Sequence, residues 1–320
     1  MIRQMEVLET EDPLGRYRSE LFAHCYRMLG SHHDAEDVLQ EVSLRALRGR
    51  AGFEGRSSLR TWLHRIAVNA CLNELDHKER RIMPVDYGPA AGPDDGFDNR
   101  LEDVLWVEPT PSDPQQRAEY LVSIELAFIV AVQHLPANQR AALIMFDVLG
   151  FSAAEIAEAM ATTPASVNSA LQRARERLTA VLPAHSQRAQ LADLGDAGQR
   201  ELVNRYTAAL EHRNMDALLA LLTEDATWSM PPLPNWYRGK SSIVAFLAAG
   251  PFTQTWRHIP TQANGQLAVA SYLRDDTGAY TAYALDVIEI RGDRIASVVA
   301  FLSPDVFAAF GLPRNFSADR

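Results

Sequence analysis

A run of Pro, Gly and Asp interrupts the helical pattern of this 320-residue chain at residues 83–116, MPVDYGPAAGPDDGFDNRLEDVLWVEPTPSDPQQ. This composition supplies few apolar side chains and many residues that end helices, so it cannot bury a core of its own. It therefore predicts a linker between two helical blocks. The length of the chain also exceeds that of one ordinary domain, so we expect a multidomain protein.

The texture of the sequence predicts three folded parts and two connectors. The parts are a helical domain at 1–81, an acidic linker at 82–118, a second helical domain at 119–183, a polar connector at 184–198 and a final domain at 199–314. In the final domain, two helical segments precede alternating strand-like runs such as AYTAYALDVIEIRGDRIASVVAFL. The expected architecture is two all-α domains, a helical bundle and then a helix-turn-helix domain, followed by an α+β domain.

Charge and cysteine content narrow the function classes. The formal net charge is −10, but nine acidic and only two basic residues lie between Ile82 and Glu119, so the linker carries most of it. The acidity therefore does not exclude DNA binding by the flanking domains. Cys25 and Cys71 cannot form a disulfide scaffold or a cysteine zinc site, and we expect no metal and no cofactor.

The termini and apolar runs predict a cytoplasmic protein with no membrane partner. No apolar run approaches the length that spans a bilayer. The N-terminal segment MIRQMEVLETEDPLGRYR is polar and acidic, whereas a signal peptide begins basic and continues apolar.

An acidic helix is predicted in the first helical block. Ser31 is a plausible N-cap, and Ala35, Val38, Leu39, Val42 and Ala46 share one buried face. The opposite face, called the docking face below, consists of Asp34, Glu36, Asp37, Gln40 and Glu41. This face is either solvated, with its acids near the favourable end of the helix dipole, or it binds a basic partner.

Residues 53–69 have the composition of a single-stranded DNA site. The loop FEGRSS precedes a helix whose outward side carries Arg60, His64, Arg65 and Asn69. Aromatic rings stack on bases, small polar residues accommodate an extruded base, and arginines hold phosphates. The alternative is that Phe53 and Trp62 are core aromatics.

The second helical block contains the pattern of a helix-turn-helix. Ser152 and Glu155 form a capping box, and Thr163 with Pro164 begins a second helix after a tight turn. The outward side of that second helix carries small and polar residues, which suits the major groove of DNA. The alternative is a plain helical hairpin with solvated arginines.

Together these motifs resemble sigma factors of the bacterial sigma-70 family, of the extracytoplasmic-function type. The stretch DAEDVLQE at 34–41 resembles the family's polymerase-docking helix, and residues 53–69 resemble its promoter-melting and −10 segment. Residues 135–175 resemble its −35 reading domain. The three motifs occur in the family's order, but this chain continues beyond the end of minimal members.

The resemblance implies roles for individual residues and names the partners, which are promoter DNA and core RNA polymerase. The docking face would bind the basic coiled coil of the polymerase β′ subunit, with the β flap as a further contact. The residues implied at the −10 element are Phe53, Arg56, Ser57, Ser58, Arg60, Trp62, Arg65 and Asn69. The residues implied at the −35 element are Ala165, Ser166, Ser169, Gln172 and Arg173.

The final domain resembles a SnoaL-like domain, a cone of curved sheet packed on helices that is also seen in relatives of nuclear transport factor 2. The resemblance is carried by residues 202–228 and by the Tyr237-Arg-Gly-Lys240 turn. The linker sequence Trp106-Val-Glu-Pro-Thr-Pro also resembles that of sigma factors with such a tail. In those proteins the tail is thought to regulate sigma activity in cis.

Cones of this kind often enclose an apolar pocket. The candidate ligand pocket here is formed by Trp228, Trp236, Tyr283 and Asp286, for a small molecule of unknown identity. No paired acid and base is recognisable, so no catalytic residue is predicted and the protein is not expected to be an enzyme.

Two rival interpretations remain open. In one, the cone is an enzyme that acts on a hydrophobic small molecule. In the other, the chain is an operator-binding regulator that never joins the polymerase.

Overall fold

The computed structural model describes residues 14–55, 57–76, 78–92, 100–112, 124–183 and 185–316. The chain forms two compact units, of which the first combines 1–81 with 113–183 and the second combines 82–112 with 184–320. The predicted succession of two all-α domains and a C-terminal α+β domain is confirmed. The linker at 82–112 belongs to the same unit as the C-terminal domain.

All the regular elements described in the first unit are helices. Its N-terminal helical domain contains α1 (Arg18–Leu29), α2 (His32–Gly49) and α3 (Leu59–Leu75). Its second helical domain contains α4 (Leu126–Gln133), α5 (Ala137–Leu143), α6 (Ala153–Ala159) and α7 (Pro164–Thr179). A π-helical turn, Ile144–Val148, extends α5.

Side-chain caps start these helices where the sequence indicates. The Ser31 hydroxyl accepts a hydrogen bond from the Asp34 amide at the start of α2. Ser152 and Glu155 exchange the reciprocal bonds of a capping box at α6. Thr163 caps α7, and Pro164 occupies a position where a missing N–H costs nothing. The tight α6–α7 turn therefore follows directly from local chemistry.

The second unit packs helices on one curved sheet. Its helices are α8 (Gln187–Glu211), α9 (Met215–Leu221) and α10 (Lys240–Ala249). Its strands are β1 (Leu222–Ser229), β2 (Trp236–Arg238), β3 (Trp256–Ala263), β4 (Gln266–Arg274), β5 (Tyr280–Arg291), β6 (Arg294–Phe301) and β7 (Asn315–Phe316). The strand order is β2-β1-β6-β5-β4-β3, and β7 pairs with β5. Only the β1–β6 pair is parallel among the described strands.

The sheet is buried on both faces at its centre. Helix α8 lies against β3, β4 and β5 through an apolar stripe that includes Leu202, Tyr206 and Leu210. On β4, the Tyr272 ring packs edge-on against Phe307 and Phe316 from the C-terminal segment. This two-sided cover explains why β4 is apolar along most of its length rather than alternating.

The predicted polar connector at 184–198 is corrected by the structure. Residues from Gln187 onward are already helical, and α8 is broken only at Gly195, whose φ is +68°. The reason is a pair of hydrogen bonds that a pattern of polar residues does not reveal. The buried Gln187 amide donates to the Ile290 carbonyl at 2.9 Å and accepts from the Ile290 N–H at 2.7 Å.

Candidate polymerase, promoter and ligand sites

The docking face lies on α2, and its side chains differ in exposure and in ion pairing. Asp37 and Gln40 are exposed, whereas Asp34 is half-buried and ion-paired with Arg81 at 2.7 Å and Lys78 at 3.1 Å. Burial alone raises the pKa of Asp34, but Arg81 and Lys78 outweigh it and lower that pKa. The two remaining acids pair with nearby arginines, Glu36 with Arg18 and Glu41 with Arg45. Asp37 and Gln40 are therefore the part of this face most open to a partner.

Two exposed leucines extend the same face and were missed by the sequence reasoning. Leu44 is 47% exposed and Leu47 is 37% exposed. They follow Asp37 and Gln40 at helical spacing, so acidic and apolar groups form one continuous strip. An apolar residue outside the buried stripe of a predicted helix is the signal that could have found them.

The predicted −10 loop is open to solvent only in part. Ser58 is exposed and caps α3 through the Thr61 amide, and Phe53 and Ser57 are half-buried. Arg56 lies outside the described residues. The structure corrects the prediction that Trp62 contacts the −10 element. Its side chain is only 8% exposed, and its ring packs against that of Phe53 at 5.1 Å, as expected if the two aromatics stabilise the fold.

The outward side of α3 contacts the second helical domain. The Arg60 guanidinium donates to the Leu149 carbonyl at 2.8 Å, and the Asn69 amide donates to the Ala159 carbonyl at 3.0 Å. Arg65 lies 3.4 Å from the Glu158 carboxylate. Three of the side chains predicted to touch the −10 element are therefore occupied by protein. We call this packing of α3 on the second helical domain the closed arrangement.

A network of Glu20, Arg60 and His64 holds the α3 side chains of the closed arrangement in place. Glu20 accepts hydrogen bonds from Arg60 Nε at 2.6 Å and from His64 Nε2 at 3.0 Å. Burial alone raises the pKa of Glu20, but these two bonds lower it to about 2, so the carboxylate stays charged. His64, expected on the outward side of α3, is fully buried, and Phe151 of the second helical domain covers its ring at 5.2 Å. Burial lowers the pKa of His64, which keeps the imidazole neutral.

Arg140 joins the two helical domains at a second point. It is 3% exposed, donates to the Met28 carbonyl of α1, and also bonds the Gln133 side chain at 2.6 Å. The Gln133 amide in turn donates to the Arg27 carbonyl at 3.2 Å. Burial lowers the pKa of Arg140 to about 10, so it remains a cation at neutral pH. These bonds fix α4 and α5 against α1.

The helix predicted to read the −35 element is open to solvent. The five predicted residues are all exposed along α7: Ala165, Ser166, Ser169, Gln172 and Arg173. Val167, Leu171, Ala174 and Leu178 are buried on the opposite side. Gln172 bonds only the next turn, at Glu176, and the described residues give Arg173 no ion pair. This helix therefore presents a polar face in the manner of a recognition helix.

The C-terminal domain contains a cavity of about 480 Å³ between the sheet, α10 and the segment that follows α10. Trp228, Tyr283 and Asp286 of the predicted pocket line it, together with His258 and Ser271. Most of the remaining lining is apolar, including Met230, Phe246 and Leu302. Volumes of roughly 300–1,000 Å³ with few polar groups are typical of small-molecule sites.

Asp286 is the polar centre of the cavity. It is 4% exposed, and its Oδ2 accepts from the Tyr206 hydroxyl at 2.9 Å and the Ser271 hydroxyl at 3.4 Å. Burial raises the pKa of Asp286 to about 6, against the lowering influence of His258 and the two hydroxyls. Tyr206, which the sequence reasoning did not select, sits on the apolar stripe of α8, so its spacing predicts core packing.

Trp236 does not line the cavity, which corrects its place in the predicted pocket. Its indole donates to the Gly88 carbonyl of the linker at 2.9 Å, and its own carbonyl accepts from the Ala91 amide at 2.7 Å. Trp236 lies on β2, a short strand at the edge of the sheet, where the linker can reach both its indole and its backbone carbonyl.

The far end of the linker is also attached to the C-terminal domain. The Thr110 amide donates to Asn264 Oδ1 at 3.0 Å, and the Thr110 carbonyl accepts from the Asn264 amide at 2.9 Å. Ser112 accepts from the Gly265 amide at 3.0 Å. Within the linker, Trp106 and Val107 are buried. The composition predicts a linker without a core of its own, and the structure shows that its described residues are bound to the C-terminal domain at both ends.

The described residues contain no group of His, Cys, Asp and Glu suited to a metal ion. Among the same residues, no helix combines the length and the apolar character needed to cross a bilayer.

Comparisons with known proteins agree with this domain order. Residues 14–81 match the model for Sigma-70 region 2, residues 125–178 match Sigma-70, region 4, and residues 203–298 match the SnoaL-like domain. The solved structure of the extracytoplasmic function sigma factor SigJ of Mycobacterium tuberculosis covers 98% of this chain and 100% of its own, with a TM-score of 0.61. At 20% identity, that likeness speaks for the fold.

Sequence relatives establish the family. The ECF RNA polymerase sigma factor SigG of Mycobacterium tuberculosis is 44% identical over 309 residues, covering 93% of this chain and 82% of that protein. SigM of the same organism is 34% identical over 149 residues, covering 47% of this chain and 64% of that protein. The chain belongs to the extracytoplasmic-function sigma factors of the sigma-70 family and carries a C-terminal SnoaL-like domain.

Proposed function

We propose that this sigma factor binds core RNA polymerase through the docking face and guides it to a two-part promoter, with the C-terminal domain regulating that activity in cis. The observation that carries the regulatory part is the closed arrangement, in which Arg60, Arg65 and Asn69 contact the second helical domain. Side chains bonded in this way are not available to DNA.

Geometry adds a second reason why the closed arrangement must open. By the positions that their names give, the −10 and −35 elements lie about 25 base pairs apart, which is about 85 Å at 3.4 Å per base pair. Two domains in direct contact cannot reach both elements at once. The 82–118 linker, fully extended, could span up to about 120 Å, so the chain is long enough once the linker is free.

The C-terminal domain controls that freedom in this proposal. It holds residues 88–91 through Trp236 and residues 110–112 through the Asn264-Gly265 turn. A linker bound at both ends cannot extend. Release of the linker and separation of the helical domains are therefore coupled steps, and the equilibrium between the two states sets the activity.

The variant Asn264→Gly tests this coupling. Asn264 has a φ of +55°, which glycine adopts freely, so the substitution removes the acceptor for the Thr110 amide and leaves the turn intact. Loss of one buried hydrogen bond should accelerate hydrogen exchange at Thr110 by about tenfold or more. Transcription from a cognate promoter should rise in parallel, because the linker is released more often.

The control for this experiment is Asp276→Gly, an exposed turn position between β4 and β5 with no hydrogen bond to the described linker residues. It should change neither exchange at Thr110 nor transcription. Faster exchange at Thr110 with unchanged transcription would separate the linker contact from the activity and refute cis-regulation.

The exposed face of α7 supplies the −35 contacts in this proposal. Gln172→Ala and Arg173→Ala should each weaken binding to a −35 duplex by roughly tenfold, since a good base or phosphate contact contributes about 1–3 kcal/mol. Fluorescence anisotropy at fixed salt measures this. Arg177→Ala, exposed near the end of the same helix, serves as the matched control. If all three variants bind equally, α7 is not the recognition helix.

A further inference from the structure

The cavity of the C-terminal domain has the composition of a binding site for a particular kind of molecule. Its walls are aromatic and aliphatic, with Trp228, Phe246 and Tyr283 among them. Flat apolar molecules pack well between such rings. The buried polar side chains of the lining, Asp286, His258 and Ser271, lie on the adjacent strands β3, β4 and β5, whereas the lining residues Thr253 and Gln254 are exposed. A ligand therefore needs an apolar body and a polar group at one end.

The hydrogen-bonding state of Asp286 defines that polar group. Its Oδ2 is used by Tyr206 and Ser271, whereas the described residues give Oδ1 no donor. Burial raises the pKa of this carboxyl to about 6, so at neutral pH it is mainly an acceptor. A ligand donor such as a hydroxyl satisfies Oδ1.

His258 adds a second polar group to the lining of the cavity. Its side chain is 3% exposed, and its Nδ1 lies 3.5 Å from the Glu211 carboxylate, which also accepts from the His258 amide at 2.7 Å. Both His258 and Asp286 line the cavity. A hydroxyl bonds such polar groups without carrying a charge, so it loses less hydration on entering a mostly apolar cavity than an ammonium group does.

The wall of the cavity is also the support of the linker. Met230, Leu233 and Leu302 line the cavity. In the same two stretches of backbone, the Leu302 carbonyl accepts from Arg100 at 3.1 Å, and the Pro232 carbonyl accepts from the Leu101 amide at 3.0 Å. A molecule that packs against this wall stabilises the backbone that holds linker residues 100 and 101.

We propose that the cavity binds an uncharged, largely apolar ring compound bearing a hydroxyl group, and that this ligand favours the linker-bound state. The regulatory half rests on the proposed cis-regulation, whereas the binding half does not. A ligand that fits the cavity formed in the linker-bound state shifts the population towards that state by mass action. The compound would therefore lower transcription. Asp286 serves as a hydrogen-bond acceptor here, with no bond made or broken.

Binding is tested on the full chain with 2-naphthol as the probe and naphthalene as the matched control that lacks the hydroxyl. Calorimetry should show saturable binding of 2-naphthol at least about tenfold tighter than naphthalene, because the hydroxyl bonds a charged group. Asp286→Asn should remove most of that preference while leaving naphthalene binding unchanged. Equal affinity for the two probes, or no saturable binding of 2-naphthol, would overturn the assignment.

A second pair of variants tests the location of the site. Ala300→Phe fills the cavity and should abolish binding of both probes. If that variant fails to fold, Ala249→Trp at the exposed rim keeps the core intact and should also block entry. Unchanged binding of the probes by either variant, once it is shown to be folded, would place the probe outside the cavity and refute the proposal.

The regulatory half has its own measurement. With 2-naphthol bound, hydrogen exchange at the Leu101 amide should slow severalfold in the wild type and stay unchanged in Ala300→Phe. Binding of 2-naphthol without any change in exchange at Leu101 would support the ligand site but refute the proposal that the ligand stabilises the linker-bound state. Promoter-directed transcription without probe reports on sigma activity alone, so failure of the proposed function is seen separately from failure of the ligand site.

Discussion

Reversing Asp37 and Glu41 to lysine together is expected to lower the affinity for core polymerase by at least about 100-fold, since placing like charges opposite each other costs several kcal/mol. Asp37 is exposed on α2, and Glu41 is half-buried one turn further along the same face. Neither belongs to the buried stripe of the helix, so the fold should be retained. Binding to immobilised core polymerase at low ionic strength measures the effect, because salt screens exposed charges.

The control is Glu79→Lys, an exposed acid outside the docking face. It should bind polymerase as the wild type does. The apolar part of the strip is tested separately with Leu44→Ser, which should weaken binding without changing its salt dependence. Normal polymerase binding by the double reversal would contradict the account and favour an operator-binding regulator, for which an acidic docking face has no use.

Replacing Asp286 by asparagine is expected to stabilise the C-terminal domain by about 2–3 kcal/mol at pH 7.5, an effect of the size that a pKa displaced by about two units produces. Burial raises the pKa of Asp286 from 3.8 to about 6, so the folded state binds a proton more tightly than the unfolded state. The stabilisation from that proton is complete below pH 3.8 and is lost as the pH rises through about 6. Asparagine carries no charge and still accepts from Tyr206.

The pH profile distinguishes this cause from a simple improvement in packing. The difference between Asp286→Asn and the wild type should be large at pH 7.5 and should disappear near pH 4. Native-state hydrogen exchange of β4 and β5 amides measures the stability of this domain within the full chain. Asp276→Asn, an exposed control on the β4–β5 turn, should have little effect at any pH. A destabilised Asp286→Asn domain at pH 7.5 would show that the charged carboxylate supports the fold.

The expected stabilisation by Asp286→Asn raises the question of why a buried acid is present. A carboxylate that weakens its own domain at neutral pH is unfavourable for folding, and its environment is typical of functional sites. Binding of a ligand hydroxyl, as proposed above, is a function that explains why the acid is present despite its effect on stability.

Local chemistry made much of the fold predictable. The capping groups at Ser31, Ser152 and Thr163 act on amides within three residues, so the sequence contains both partners. The buried stripes of α2 and α7 follow from helical spacing alone. The five residues predicted to contact the −35 element lie on the exposed side of α7, as helical spacing predicts.

The closed arrangement could not be predicted in this way. Arg60 and Leu149, or Asn69 and Ala159, are some 90 residues apart, and an outward arginine is equally compatible with DNA and with a protein carbonyl. The linker posed the same difficulty, because it contacts Trp236 and Asn264 through its own backbone N–H and C=O groups, which every residue type offers. Composition identifies a segment without a core, but it does not reveal that another domain supplies one.

The pocket was predicted in part. Trp228, Tyr283 and Asp286 meet in the cavity, whereas Trp236 binds the linker and Tyr206 was not selected. Strand alternation indicates which residues share a face of the sheet. It does not indicate which edge is covered by another segment or which helix residue reaches across to an acid.

Reconstituted transcription with core polymerase, comparing the full chain with a chain ending at Pro183, measures whether the C-terminal domain restrains sigma activity. Both forms should associate with the polymerase and start RNA synthesis at the same promoter positions. The shortened form should yield more transcript, because its linker is no longer held. Equal output from the two forms would contradict cis-regulation, and failure of both to bind the polymerase at low ionic strength would contradict the account as a whole.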